Sequence, residues 1–119
     1  MKQSILIVDD IALNRAYFKA VLNKFYTVYE ASTGEDGYKI ASEKQPDLIL
    51  LDIMMPVLDG FDTAKMLKSS SSTVHIPIIF VTASCDPAHK NRAMQLGAVD
   101  VIIKPFTSAI LLSRIQAFL

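Results

Sequence analysis

Three strand-like runs in this chain are apolar throughout: Ile5-Leu6-Ile7-Val8, Leu48-Ile49-Leu50-Leu51 and Ile78-Ile79-Phe80-Val81. A strand with one wet face alternates apolar and polar residues, whereas an unbroken apolar run belongs to a strand covered on both faces. Val101-Ile102-Ile103 reads as a further strand, and Thr27-Val28-Tyr29-Glu30 mixes polar with apolar residues, as expected at a sheet edge. Helical periods separate these runs. Leu13, Ala16, Tyr17, Ala20, Val21 and Phe25 form one stripe, Phe61, Ala64 and Leu67 another, and Ala93, Met94 and Leu96 part of a third. A helix is expected near Glu35 to Glu43, although Gly37 inside it costs ~1 kcal/mol relative to alanine. The last helix is expected from about Ser108, which can cap it, to the terminus, with Ile110, Leu111, Ile115 and Phe118 apolar. Strand followed by helix, five times over, predicts an α/β fold with a parallel sheet and helices on both faces. With right-handed crossovers, the chain length suits a five-stranded, doubly wound order 2-1-3-4-5.

The 119 residues suit one domain spanning 1–119, and no second domain or interdomain linker is expected. Ser69-Ser70-Ser71-Ser72-Thr73 reads as a flexible loop before the fourth strand. Lys+Arg equals Asp+Glu, which argues against a nucleic-acid surface that depends on bulk positive charge. No apolar run is long enough to span a membrane, and no signal peptide precedes Ser4. A single cysteine, Cys85, cannot form an internal disulfide, so a cytoplasmic location is expected.

In a doubly wound sheet, ligands bind outside the carboxyl ends of the strands, where strand order reverses. The first strand here ends in Asp9-Asp10, the third in Asp52, the fourth in Thr82 and the fifth in Lys104-Pro105. Any one of these alone has a plain structural reading. An aspartate after a strand can be only a helix cap, a threonine there only structural, and a lysine only a solvated surface charge. A polar set at one end of otherwise apolar strands is a different matter. Three ionised carboxylates and one ammonium leave two uncompensated negative charges in one cleft, which a divalent cation would neutralise. Oxygen-only ligands favour Mg²⁺, or Mn²⁺ as a substitute, over Zn²⁺. Metal, ammonium and hydroxyl together could contact the oxygens of a phosphoryl group, with a carboxylate as nucleophile and an acyl phosphate as product. Asp52 stands alone at its strand end and is the best nucleophile, leaving Asp9 and Asp10 for the metal.

These residues resemble a known family. "ILIVDD" (Ile5 to Asp10), "LLDIMMPVLDG" (Leu50 to Gly60), "VTA" (Val81 to Ala83) and "KPF" (Lys104 to Phe106) match, in order and spacing, the motifs of CheY-like response-regulator receiver domains. The resemblance covers essentially the whole chain. It implies a flavodoxin-like fold and a role as a two-component phosphorelay switch, phosphorylated by a histidine kinase or a histidine phosphotransfer protein. It implies Asp52 as phosphoacceptor, Thr82 as switch hydroxyl and Lys104 as phosphoryl contact. Mg²⁺ would be held by Asp9, Asp10, Asp52 and the Met54 carbonyl. Met55 would pack inward, Pro56 would start a turn, and Asp59-Gly60 would begin the third helix, with Gly60 permitting an unusual backbone shape. A cis Lys104-Pro105 bond is also implied. Asn14 and Arg15 resemble receivers attached to hybrid histidine kinases, and a stand-alone regulator is the other parentage. Signal output, and a weak homodimer, would use the fourth helix, fifth strand and fifth helix, with Lys90, Asp100 and Arg114 as charged contacts. Val101 stands where many receivers carry a mobile aromatic, so a ring cannot carry the signal here.

Two other functions compete. An Mg²⁺-dependent phosphohydrolase using an aspartyl phosphate typically carries a second Asp two residues after the nucleophile, where this chain has Met54. A degenerate receiver used as a docking scaffold would have no need of the complete polar set. His75 and His89, the two histidines, read as surface residues, and Cys85 as a loop thiol with no basic neighbour in sequence.

Overall fold

A computed structural model describes residues 2–119. Five strands and five helices alternate along the chain: β1 (Ser4–Val8), α1 (Ala12–Leu22), β2 (Thr27–Ala31), α2 (Gly34–Lys44), β3 (Leu48–Asp52), α3 (Gly60–Ser69), β4 (Ile78–Thr82), α4 (Pro87–Gln95), β5 (Asp100–Ile103) and α5 (Ser108–Gln116). All neighbouring strands pair in parallel, in the order β2-β1-β3-β4-β5. The half-polar β2 is an edge strand, as its composition predicts.

The apolar runs are continuous because the sheet separates two cores. Leu6, Val8, Ile49, Leu51, Ile78 and Phe80 face α2, α3 and α4, where they meet Ala41, Phe61, Leu67 and Ala93. Ile5, Ile7, Leu48, Leu50, Ile79 and Val81 face the other way and meet Phe18 and Leu22 of α1 and Leu111 and Ile115 of α5. Each large aliphatic side chain buried in this way contributes about 1.5–3 kcal/mol.

The phase of α1 differs from the expected stripe. Leu13 is 79% exposed, and Tyr17 and Phe25 are also exposed, while Phe18, Leu22 and Tyr26 are buried. The helix is turned by one residue, about 100°. Phe18 enters the core beside Leu22, Leu111 and Ile115, and the Phe106 ring, from a distant part of the chain, packs against both Phe18 at 5.8 Å and Tyr17 at 6.1 Å. Elsewhere Met94, Ile110 and Phe118 are exposed, whereas Ala93, Leu111 and Ile115 are buried. The cap of α5 is Thr107, whose hydroxyl accepts the Ile110 N–H at 3.2 Å, and Ser108 is the first helical residue.

Gly37 has a packing reason. A Cβ there would lie 2.8 Å from Val8 Cγ2, so glycine lets α2 lie close against β1. The serine-rich segment is a stapled turn. Thr73 is fully buried and donates to Leu67 O at 2.6 Å. Gln45 Nε2 donates to Ser72 O at 2.8 Å and Tyr38 Oη donates to Ser70 Oγ at 3.1 Å. Lys68 Nζ donates to Val74 O and Ile76 O, and burial holds its ammonium below the usual lysine range.

Candidate functional site

Parallel strands all finish on the same side of the sheet, so the residues that end β1, β3, β4 and β5 converge. Asp9 and Asp10 follow β1 directly, and Asp52 and Thr82 are the last residues of β3 and β4. Asp9, Asp52 and Thr82 are buried, a rare state for a carboxylate. Carboxylate oxygens of Asp9, Asp10 and Asp52 lie within 4.8 Å of one another.

Each carboxylate has a different local environment. Asp9 Oδ1 accepts the Ile11 N–H at 2.9 Å, and its Oδ2 lies 3.9 Å from Lys104 Nζ. Asp10 caps nothing. The N-cap of α1 is Ile11, which has no capping side chain, and Asp10 Oδ1 is enclosed without a hydrogen-bond partner. Asp52 accepts only a long bond, 3.4 Å, from the Met54 N–H. Its pKa is pushed up to about 6, first by burial and then by the negative charge of Asp9, with Asp10 adding to this and Lys104 and the Met54 N–H opposing it. The polypeptide alone therefore leaves this cleft short of positive charge. An all-oxygen donor set containing an orphaned buried oxygen fits a hard divalent cation.

The backbone around Asp52 is shaped by Gly60, but not through an unusual dihedral angle. Asp59 caps α3 by accepting the Asp62 N–H at 2.8 Å, and Gly60 is the first helical residue. A Cβ on Gly60 would collide with the Asp52 carbonyl oxygen and fall 2.7 Å from Ile53 Cα. Glycine is needed for this close approach. The left-handed residue of the loop is Val57, at φ 66°, directly after Pro56. Met55 is buried as expected, and Met54 is exposed.

The Lys104-Pro105 bond is cis. Thr82 Oγ1 accepts the Ser84 N–H at 3.0 Å. Two supporting residues escaped sequence reasoning. Arg15 Nη1 donates to Asp9 O at 2.7 Å while its Nε lies 3.6 Å from Glu30 of β2, so it braces the acidic turn from α1. Its only sequence signal was the family cue. His89 is half-buried, in contrast to the expected surface position, with Nδ1 2.7 Å from Ser84 Oγ and its ring against Phe61.

The profile of the family described as "Response regulator receiver domain" matches residues 5–116. The chain belongs to this family. Its fold is that of the Vibrio cholerae chemotaxis protein CheY4, with a TM-score of 0.94, 29% identity and complete coverage of both chains. It is also similar to the receiver domain of sensor histidine kinase PA1611 from Pseudomonas aeruginosa, with a TM-score of 0.90, 29% identity, and coverage of 99% and 98% of the two chains. That domain was crystallised with a magnesium ion coordinated in its active site cleft. The response regulator PleD of Caulobacter vibrioides is 38% identical over 120 residues, covering 98% of this chain and 26% of PleD. The chain spans between 26% and 52% of the length of the curated relatives it matches. Among the described residues of this receiver domain, no helix is long and apolar enough to cross a membrane.

Proposed function

We propose that residues 1–119 form one cytoplasmic receiver unit that takes a phosphoryl group onto Asp52 from the phosphohistidine of a histidine kinase or histidine phosphotransfer protein, and then changes conformation to control a partner. The observation that carries this reading is the cluster of three carboxylates within 4.8 Å, one with an orphaned oxygen, at the strand ends shared with Thr82 and Lys104.

An Asp52 oxygen attacks phosphorus in line with the phosphorus–nitrogen bond. The new O–P bond makes an acyl phosphate, and the donor imidazole leaves with the electron pair of the broken bond. Asp10, Asp52 and the Met54 carbonyl, with Asp9 direct or through water, would hold Mg²⁺, which supplies positive charge to the carboxylates and the phosphoryl oxygens. Lys104, kept at the site by its pairing with Asp9, offers its ammonium to one phosphoryl oxygen. The Thr82 hydroxyl offers a hydrogen bond to another. Two residues after Asp52 stands exposed Met54, which has no proton to donate. Sustained hydrolysis by a general acid is therefore disfavoured, and the chemistry is limited to self-phosphorylation from small donors and slow self-dephosphorylation.

Output would leave through α4, β5 and α5, a face that would also support a weak homodimer. Arg114 and Asp100 pair with each other across 2.8 Å there, so neither is free in the way the sequence suggested. Lys90 makes no ion pair among the described residues and lines a groove of about 260 Å³ with exposed Ile103 and Ile110.

Acetyl phosphate with Mg²⁺ tests the reading. One labile phosphoryl group should be gained per chain, and Asp52→Asn should take up none. Sustained turnover would favour the phosphohydrolase, no uptake the docking scaffold, and full labelling of Asp52→Asn at another residue would remove Asp52 from its role.

A further inference from the structure

The loop from β4 to α4 is organised around Ser84. Its N–H donates to Thr82 Oγ1 at 3.0 Å, and its Oγ accepts the Asp86 N–H at 3.3 Å. Ser84 Oγ also lies 2.7 Å from His89 Nδ1, in a hydrogen bond between the two side chains. His89 lies in the first turn of α4, and its N–H donates to Asp86 O at 3.0 Å. The ring also packs against Phe61, with centroids 6.0 Å apart. Phe61 is buried against Phe80 of β4. Two hydrogen bonds, one from the Ser84 N–H and one through its Oγ, thus link the Thr82 hydroxyl to α4, and the Phe61 ring packs against the last group. The other route out of the site, a swinging ring before Lys104, is closed because buried Val101 occupies that place.

We propose that His89 is a positioning residue that couples the Thr82 hydroxyl to α4 through Ser84. Resting on the assignment of Asp52 and Thr82 above, phosphoryl attachment draws the Thr82 hydroxyl towards the new oxygens, and Ser84 moves with it. His89 is held in α4 and by its packing on Phe61, so it does not follow; the Ser84–His89 bond breaks and the first turn of α4 is released.

Imidazole and amide NMR of the full chain, with Mg²⁺ and beryllofluoride as the phosphoryl mimic, tests this. The chain has two histidines, and exposed His75 serves as the internal control. On adding beryllofluoride, the His89 Nδ1 resonance should shift while that of His75 stays. In Ser84→Ala and in His89→Ala, the α4 amides should lose their response while phosphoryl uptake from acetyl phosphate is kept. His89→Asn, whose side-chain amide can take the place of Nδ1, should restore it. A wild-type His89 that stays silent while amides beside Asp52 respond would overturn the coupling. So would α4 responses in Ser84→Ala and His89→Ala equal to wild type. If wild type neither binds beryllofluoride nor takes up phosphate, the receiver assignment itself fails and this inference falls with it.

Discussion

Removing the charge of Asp52 should stabilise the fold, and the structure sets the size of the effect. Burial and the neighbouring Asp9 raise the Asp52 pKa from 3.8 to about 6. A raised carboxylate pKa means that ionisation costs more in the folded chain than in the unfolded one. The favourable contribution of Asp52 is therefore fully present below pH 3.8, and it is lost as pH rises through about 6. The shift spans roughly two pK units at ~1.4 kcal/mol each, a ceiling of about 3 kcal/mol. Water at the cleft mouth screens part of this, leaving about 1–2 kcal/mol. For a domain of this size that corresponds to a rise in Tm of roughly 4–8 °C. Asp52→Asn keeps the shape and can still accept the Met54 N–H, so the variant isolates the charge. Thermal unfolding of both proteins in EDTA, from pH 4 to pH 8, measures it. The variant should be the more stable above about pH 6 and nearly equal to wild type near pH 4. Saturating Mg²⁺ should then narrow the gap by stabilising wild type more, since a ligand of the folded state raises stability by mass action. Equal Tm values at pH 7.5 in EDTA, or a gap that widens towards acid, would refute the charge reasoning.

Further substitutions separate the elements of the site. Asp10→Ala should weaken Mg²⁺ affinity by at least about tenfold, or ~1.4 kcal/mol, in isothermal titration calorimetry; unchanged affinity would remove Asp10 from the metal site. Gly60→Ala should cost about 1–3 kcal/mol of stability in urea unfolding, because the added methyl has backbone on its far side and cannot be accommodated by a rotamer change. Val57→Gly should stabilise by ~0.5–1 kcal/mol in the same assay, because Val57 is fully exposed, holds φ 66° with a branched side chain, and loses no packing.

The alternation of elements and the strand ends were legible because both are local. An apolar run that stops at a carboxylate marks both the strand and its end, as Leu48 to Asp52 does. The phase of α1 was not legible, since that helix carries two apolar stripes and the buried one packs with Leu111 and Ile115 from the far end of the chain. The same reason hid the pairing of Arg114 with Asp100, the brace from Arg15 to the Asp9 carbonyl, and the burial of His89. Gly37 and Gly60 illustrate it from the other side. Propensity priced Gly37 as a defect and family resemblance gave Gly60 a special backbone shape, yet both are present because another element lies within one methyl group of their Cα.

The candidate site escaped this limit because topology, not side-chain contact, brings its residues together. β1 and β3 are neighbours in the sheet, but their crossovers leave in opposite directions, α1 to one face and α2 and α3 to the other. The opposite departures leave a gap above their carboxyl ends, and a polar residue placed there needs no long-range partner to remain at the mouth of a cleft. A reader of the sequence needs only the strand order to know that Asp9, Asp10 and Asp52 will meet. The charge deficit of the cleft is also legible there; how each carboxylate bears it is not. Asp10 holds an oxygen with no hydrogen-bond partner among the described residues, and burial raises the Asp52 pKa to about 6. A cleft so arranged is incomplete until positive charge enters it. That is the physical reason that loading the cleft and changing its conformation should be one event.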